Sequence, residues 1–297
     1  MMRGALRWLY SRVWHRSWFM APILAVRFHR VFGYWPNPIA PAGFNEKLFV
    51  RMAFDRRPLL TMLTGKVEAA AFVVARLGHA HGQARQIGVA SRLEEIAGLA
   101  LPERYICKAS HGSGMVRFVT PQAPIAPAAL ADMVGRWLAV EYGRYGLEWS
   151  YHGVQPAVVF EEVLDRDGRV PDDIKFFCFD GRVVYVQCDS DRFEGHCQTL
   201  FDRDWNRLDV RVKDYAPHGE PPVRPVLFEA MLETAERLAA GIDFVRVDLF
   251  DLGDRFCVGE LTTVPQGGYG SFSPALWDTE FGRHWRMPSF VALRGWS

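Results

Sequence analysis

No two cysteines in this chain form a C-x-x-C pair, and no histidine–cysteine spacing suits zinc. Cys107, Cys178, Cys188, Cys197 and Cys257 therefore build neither a redox motif nor a zinc finger. Three of them fall inside apolar, strand-like runs, where cysteine acts as a small core residue. A reducing cytoplasm is the compartment this usage fits. The chain also lacks the run of roughly twenty apolar residues that crosses a bilayer. The longest such run near the start, SWFMAPILAV, is about half that length and is broken by Pro22. With no clean apolar core and no small-residue cleavage site, a signal peptide is not expected either. The phosphate-loop string G-x-x-x-x-G-K-[ST] is absent. Residues 1–45 contain no acid at all, yet carry Arg3, Arg7, Arg12, Arg16, Arg27 and Arg30. The whole chain has a net charge of only +1, so nothing global favours nucleic acid, and the remainder is net negative.

What is present is a chain of 297 residues, 49% hydrophobic and 23% charged, enough for a large core in one domain or several lobes. Leu6, Leu9, Tyr10, Val13 and Trp14 recur at helical spacing with arginines on both flanks. Such a helix either lies on lipid headgroups or docks on its own protein body. Asn45 reads as the cap of a helix through EKLFVRMAF, and a further helix is expected through VEAAAFVVARL. ARQIGVA, RYICKA and PAVVFEEVL read as strands, and PAALADMVGRWLAVEY and PVLFEAMLETAERLAA as helices. DIKFFCF and RVVYVQCD flank Asp180-Gly181, the pair a type I′ hairpin turn favours. FVRVDLF and RFCVGEL form a second hairpin about Leu252–Asp254. The class expected is α+β, in lobes rather than one wound sheet.

The second hairpin carries the sharpest chemical signal. Asp248 and Glu260 lie symmetrically about Asp254, so they should oppose each other across the two strands. Two carboxylates at about 4 Å repel by roughly 4 kcal/mol at an effective dielectric near 20. Either Arg246, two residues from Asp248, neutralises them, or a magnesium ion bridges them to phosphates. In KASHGSG, Lys108 ends a strand and a glycine-containing loop follows, an order suited to a phosphate cradle or to a plain loop. By themselves Lys175 and the Glu161-Glu162 pair read as solvated strand ends more readily than as a site, and Lys66 as a helix-start lysine.

The order of these features resembles the ATP-grasp superfamily. GELTTVPQGGYGSFSP is similar to the E-x-N-T-x-P-G segment of D-alanine–D-alanine ligases, and DIKFFCFDGRVV to the D-I-R strand of ribosomal-protein glutamate ligases. The chain most resembles the TupA-like, teichuronopeptide-biosynthesis branch. That resemblance runs over roughly residues 27–285 through FNEKLFVRMAFDRRPLL, KASHGSG, DIKFFCFDG, DSDRFEGH, FDRDWNRL, FVRVDLFD and GELT. It implies two α+β lobes gripping a nucleotide, preceded by a mostly helical N-terminal region. The implied division is a basic segment at 1–43, a pre-ATP-grasp region at 44–101, a small lobe at 102–164 and a C-terminal lobe at 165–297.

The resemblance also implies roles. Lys66 and Lys108 would bind the phosphates of ATP, with Ser110, His111, Gly112, Ser113 and Gly114 as a mobile lid. Glu161, Glu162, Val163 and Leu164 would form the adenine hinge. Lys175 and Arg246 would steady the transferring phosphoryl group, and Asp248, Glu260 and Thr262 would hold magnesium. Thr262 stands where many relatives have asparagine, and Gly65 and Ala70 replace the aspartate and arginine that flank Lys66 in the family pattern. Gly267 and Gly268 would hold an acyl intermediate through N–H groups, and Arg192 and His196 would contact the acceptor. The implied activity is an ATP- and magnesium-dependent carboxylate–amine ligase working through an acyl phosphate. The expected setting is surface-polysaccharide biosynthesis, joining an amine such as an amino acid to a free or lipid-linked sugar carboxylate. The expected location is the cytoplasm, peripheral to the inner membrane face where the basic helix meets lipid. A sugar or small-molecule kinase, or a nucleotide-binding assembly protein without turnover, are the alternatives.

Overall fold

Strand alternation and two hairpins generate the larger sheet. In the computed structural model, which describes residues 14–78, 82–166, 168–190, 196–213 and 215–293, five antiparallel strands stand in the order β10-β9-β5-β6-β7. They are β5 (Asp172–Phe179), β6 (Arg182–Ser190), β7 (Cys197–Asp202), β9 (Phe244–Asp251) and β10 (Phe256–Thr262). Asp180 and Gly181 both have positive φ, 48° and 80°, as the expected type I′ turn requires. One face of the sheet packs Ile174, Phe176, Val186, Val245 and Val247 against helix α7 (Phe228–Ala239) and α4 (Lys66–Leu77). The helix contributes Phe228, Met231, Leu232, Ala235 and Leu238, the 3.6-residue stripe of an amphipathic helix.

The other face is divided along its length. Phe177, Phe179, Tyr185 and Phe244 form an aromatic half with Phe44 and Phe281. Further along the same strands this face becomes polar, with Asp173, Lys175, Gln187, Asp189, Arg246 and Asp248, and these residues form the site described below. Helix α2 (Phe44–Phe54) is tied to this sheet by Arg51, fully buried, which donates to Asp243 at 2.6 Å, to the Phe244 carbonyl at 2.8 Å and to the Thr263 carbonyl at 3.1 Å. The cap expected at Asn45 lies elsewhere. The helix begins at Phe44, because the Glu46 carboxylate accepts the N–H groups of Ala42 and Gly43. Asn45 is instead buried and donates to Asp278 and to the Gly270 carbonyl.

The smaller sheet has four antiparallel strands in the order β1-β4-β2-β3: Gln86–Ala90, Val158–Glu161, Tyr105–Ala109 and Val116–Val119. Its strand 86–90 precedes residue 102, where the small lobe was expected to begin. Helix α5 (Pro127–Leu138) covers one face through Leu130 and Val134, and α3 (Pro58–Thr64) and α6 (Tyr142–Gly146) are short helices between the longer ones. A short third sheet pairs β8 (Arg211–Val212) with β11 (Phe272–Ser273).

The basic helix expected at residues 6–14 falls almost wholly outside the described residues. From Trp14 onward the chain is docked. Trp14 and the Met20, Leu24 and Phe28 row of helix α1 (Ser17–Phe32) pack on Phe49, Val50 and Ala53 of α2. Beside this contact the rings of His15 and His152 stack at 4.0 Å. Burial, then the charges of His152, Arg16 and Arg56, lower the His15 imidazole from an ordinary 6.5 to about 4. The unfolded chain therefore takes up this proton first, so the stability His15 contributes is full above pH 6.5 and is lost as pH falls through about 4. Melting temperature should drop over that window by several degrees, since the shift is worth on the order of 2 kcal/mol. The slope should flatten in His15→Asn, and an unchanged slope would remove this residue from the account.

Candidate active site

Alternate positions on the strands of the larger sheet bring one set of polar side chains to the charged half of its face. Lys175 on β5 is almost fully buried and reaches Asp173, Asp248 at 3.1 Å and Asp189 at 3.7 Å. Arg246 on β9 forks onto Asp248 with bonds of 2.7 and 2.6 Å. Asp189 also accepts from Gln187 and Gln198. Burial opposes the charge on Lys175, but Asp173, Asp248 and Asp189 overcome it and hold the ammonium above its ordinary range. Burial likewise opposes the Asp248 carboxylate, and Arg246 and Lys175 override it, so its pKa ends below the ordinary range.

The expected opposition of Asp248 and Glu260 is present, and a bulge produces it. Val258 pairs with Leu249, but Glu260 pairs with Asp248, so Gly259 is the extra residue. A side chain there would meet the Phe250 ring at 2.7 Å, which explains the glycine. The bulge turns Glu260 and Thr262 to the polar face while Leu261 stays in the core. Thr262 links them, accepting from Arg246 and donating to Glu260, each at 3.2 Å.

Lys108, on β2 of the smaller sheet, pairs with Glu161 of β4 at 2.7 Å. The loop that follows is half anchored. Ser110 and His111 are buried, and the Ser110 N–H donates to the Ala157 carbonyl at 2.8 Å. His111 Nδ1 accepts from the Ala157 N–H, leaving Nε2 to donate to the Trp137 carbonyl at 2.9 Å. Gly112 is close-packed as well, since a side chain there would strike Tyr142. Only Ser113 and Gly114 of the expected lid are exposed. Lys66 opens α4 directly beneath this loop and donates to the carbonyls of Ala109 and Gly112 at 2.9 and 2.8 Å. Those are two of its three possible bonds. Burial lowers its pKa, and Glu260, Lys108 and Glu161 are the charges it feels.

Glu260 thus stands where the two halves of the site meet. It is exposed, bonded to Thr262 on the larger sheet, and close enough to act electrostatically on both Lys66 and Arg246. Three residues not anticipated from the sequence share this junction. Glu148 is held up at about 7, chiefly by burial and then by the charge of Glu260. Burial, Glu148 and Glu260 raise the Tyr151 phenol, and the Tyr142 ring lies 4.8 Å from that of Tyr151. Tyr142 also bonds to Ser113 at the tip of the lysine loop. No motif surrounds Glu148 in GLEWSY. By contrast Asp173 and Asp189 were detectable, because each lies two residues from a polar position on the same strand face.

The remaining expected residues are distributed around this junction. Glu162 bonds to Arg85 through backbone and side chain. Val163 and Leu164 leave the sheet as coil, with no backbone hydrogen-bond partner among the described residues. His196 lies 3.5 Å from Asp189 and 4.5 Å, ring to ring, from Tyr215. Gly267 and Gly268 have φ of 62° and 79° in a short turn packed on Met52, and the Gly267 N–H donates to the Val264 carbonyl at 3.2 Å. Arg192 lies outside the described residues. An apolar cavity of about 640 Å³ lies elsewhere, between Leu93, Tyr105 and Leu130, and contains none of these residues.

The carboxylates fit a magnesium ion held jointly with phosphates. Among the described residues no group of three or more His, Cys, Asp or Glu is arranged to hold a metal by itself. Magnesium needs only one or two carboxylates when phosphate supplies the rest. Glu260 is exposed, and Asp248 uses three of its roughly four acceptor positions on Arg246 and Lys175.

Two antiparallel sheets thus bring lysines, an arginine and carboxylates to one junction. Residues 46–286 match the TupA-like ATP-grasp family, and the chain belongs to it. The α+β class and the helical N-terminal region agree with the expectation. No curated protein sequence matches the chain. Among solved structures it is similar to the ATP-grasp ligase PsnB complexed with precursor peptide PsnA2 and AMPPNP, at 14% identity and a TM-score of 0.40, over 71% of this chain and 53% of that one. It is similar to D-alanine–D-alanine ligase from Bacillus anthracis at 17% identity and a TM-score of 0.40, over 71% and 60% of the two chains. For the Helicobacter pylori ligase the values are 9%, 0.42, 77% and 60%. The chain therefore spans only 53% to 60% of the length of these structures.

Proposed function

We propose that this protein is an ATP- and magnesium-dependent carboxylate–amine ligase. The observation that carries the reading is the position of Glu260, an exposed carboxylate set between Lys66 on one side and Arg246 on the other. Membership of the TupA-like ATP-grasp family supports it. Lys66 and Lys108 bind the triphosphate, and the backbone of Val163 and Leu164 takes the adenine edge. Asp248 and Glu260 hold magnesium, which supplies positive charge to the phosphates. Lys175 and Arg246 neutralise charge on the transferring phosphoryl group, so that catalysis is positioning and electrostatics rather than covalent work by the protein.

In the first step a substrate carboxylate oxygen attacks the γ-phosphorus, the bond to ADP breaks, and an acyl phosphate forms. In the second an amine attacks the acyl carbon, the C–O bond to phosphate breaks, and the amine gives up a proton as the amide forms. His196, beside Asp189, lies on the acceptor side of this scheme, and the acyl group falls to the Gly268 N–H, since that of Gly267 is spent on the Val264 carbonyl. The carboxylate is placed in surface-polysaccharide synthesis, a uronic acid or related sugar acid, with an amino acid as the amine. The teichuronopeptide likeness supports that class.

Interception of the acyl phosphate tests the reading. With ATP, magnesium and a panel of uronic and amino acids, added hydroxylamine should yield a hydroxamate in step with ADP, because acyl phosphates react quickly with it and sugar phosphates do not. A stable phosphosugar without hydroxamate would establish the kinase alternative instead. Absence of turnover with soluble and lipid-linked acids alike would leave a binding protein.

A further inference from the structure

Most soluble helices turn one apolar stripe inward and a polar one outward. Helix α1 does not. Its inward row is Met20, Leu24 and Phe28, and its outward row, at i, i+4, i+8 and i+12, is Trp18, Pro22, Val26 and Arg30. Trp18 is 68% exposed although it is the largest side chain on the helix. Six of the thirteen large apolar side chains exposed among the described residues fall between Trp18 and Ile39, so the exposure is concentrated rather than scattered.

The segment after the helix extends the feature and is held rigidly. The Trp35 ring stacks on His29 at 4.5 Å and 5° yet remains 61% exposed. Ile39, 85% exposed, sits on a turn in which the Asn37 carboxamide oxygen accepts the N–H groups of Ile39 and Ala40. Glu46 in turn fixes Asn37 by accepting its N–H at 2.9 Å. Apolar tips held outward by specific bonds are already ordered for a contact, and making it costs little further conformational entropy.

We infer that this face, Trp18, Pro22, Val26, Trp35 and Ile39 with Arg16 and Arg30, docks the protein on the surface of an anionic lipid membrane. Charge selects that occupant. No acid occurs in residues 1–45, Arg16 and Arg30 are exposed, and Arg3, Arg7 and Arg12 precede them in sequence. A second copy meeting the same face would bring like charges together, whereas anionic headgroups would neutralise them. Exposed tryptophans bordered by arginines suit the headgroup boundary, where an amphipathic ring has one apolar and one wet side. No single helix among the described residues is long and apolar enough to cross a membrane, so the contact is with its surface. The inference is independent of the ligase reading, and its test uses no turnover.

The full chain is sedimented with phosphatidylglycerol-containing vesicles and with pure phosphatidylcholine vesicles. Binding is expected to the first, weakening as salt rises. The triple variant Trp18→Ser, Trp35→Ser, Ile39→Ser should bind about tenfold more weakly or worse, with unchanged melting because all three side chains are exposed. Should that variant misfold, Arg16→Glu with Arg30→Glu provides a second arm, expected to lose most binding at low salt. Wild-type binding by either folded variant overturns the inference. So does an unmodified chain that ignores both vesicle types, and a dimer that dissociates in the triple variant would then identify a second copy as the occupant.

Discussion

Lys175→Met should lose about 3–5 kcal/mol of stability, a large part of what holds a domain folded. The cause is arithmetic of charge in a buried place. Lys175 is 2% exposed and shares its surroundings with Asp173, Asp189 and Asp248, each 3% or less. Three carboxylates with two cations, Lys175 and Arg246, already leave one excess negative charge. Removing the lysine leaves three acids for Arg246 alone, without water to screen them. Urea denaturation would measure the loss, but a fall in ADP formation in this variant would mix lost stability with any role in catalysis. The double variant Lys175→Met, Asp173→Asn separates the two roles. Neutralising Asp173 restores the original charge excess, so roughly half or more of the lost stability should return. Turnover should not return, because no ammonium is left to meet the phosphoryl group. Recovery of turnover together with stability would make Lys175 a counter-ion of the sheet and remove it from the site.

The parts of this site that were legible in the sequence are those written in strand periodicity. Asp180-Gly181 marked one hairpin, and the symmetry of Asp248 and Glu260 about Asp254 marked the other. That symmetry held only because Gly259 inserts a bulge. Strict pairing continued from Val258 and Leu249 would have set Glu260 opposite Val247. Arg246 does neutralise Asp248, the alternative raised against a metal, and the pair still leaves Glu260 facing outward. Less legible were the residues whose environment comes from distant segments. Nothing local to GLEWSY shows that Glu148 lies beside Glu260, and nothing in KASHG shows Ser110 and His111 turned into the core. Those placements depend on Ala157 and Trp137, forty-odd and twenty-odd residues away. Asn45 was a plausible cap by type, but the helix starts one residue earlier, with Glu46 reaching back to the N–H groups of Ala42 and Gly43 and the Asn45 side chain drawn to Asp278 and Gly270.

Among the described residues the Lys108 ammonium has one ion-pair partner, Glu161. If the pair were only a strut across two strands, deleting either side chain would do little. Both are about one-fifth exposed, and ion pairs that water still reaches are worth ~0–1 kcal/mol. If Lys108 instead holds a phosphate, the two deletions diverge. Lys108→Ala should lower turnover by about 10²–10³, the scale of losing one preorganised charge at a reacting centre, while melting changes by no more than a few degrees. Glu161→Gln leaves the ammonium in place and frees it from its carboxylate, so nucleotide affinity should hold or rise. Calorimetric titration with ATP and a coupled ADP assay on the two variants read these effects separately. Divergence is the signature of a phosphate site, since a strut has no means of distinguishing its two ends. Equal and small effects of both substitutions on binding and turnover would reduce KASHGSG to a strand end and a close-packed loop, and would transfer the phosphates to Lys66.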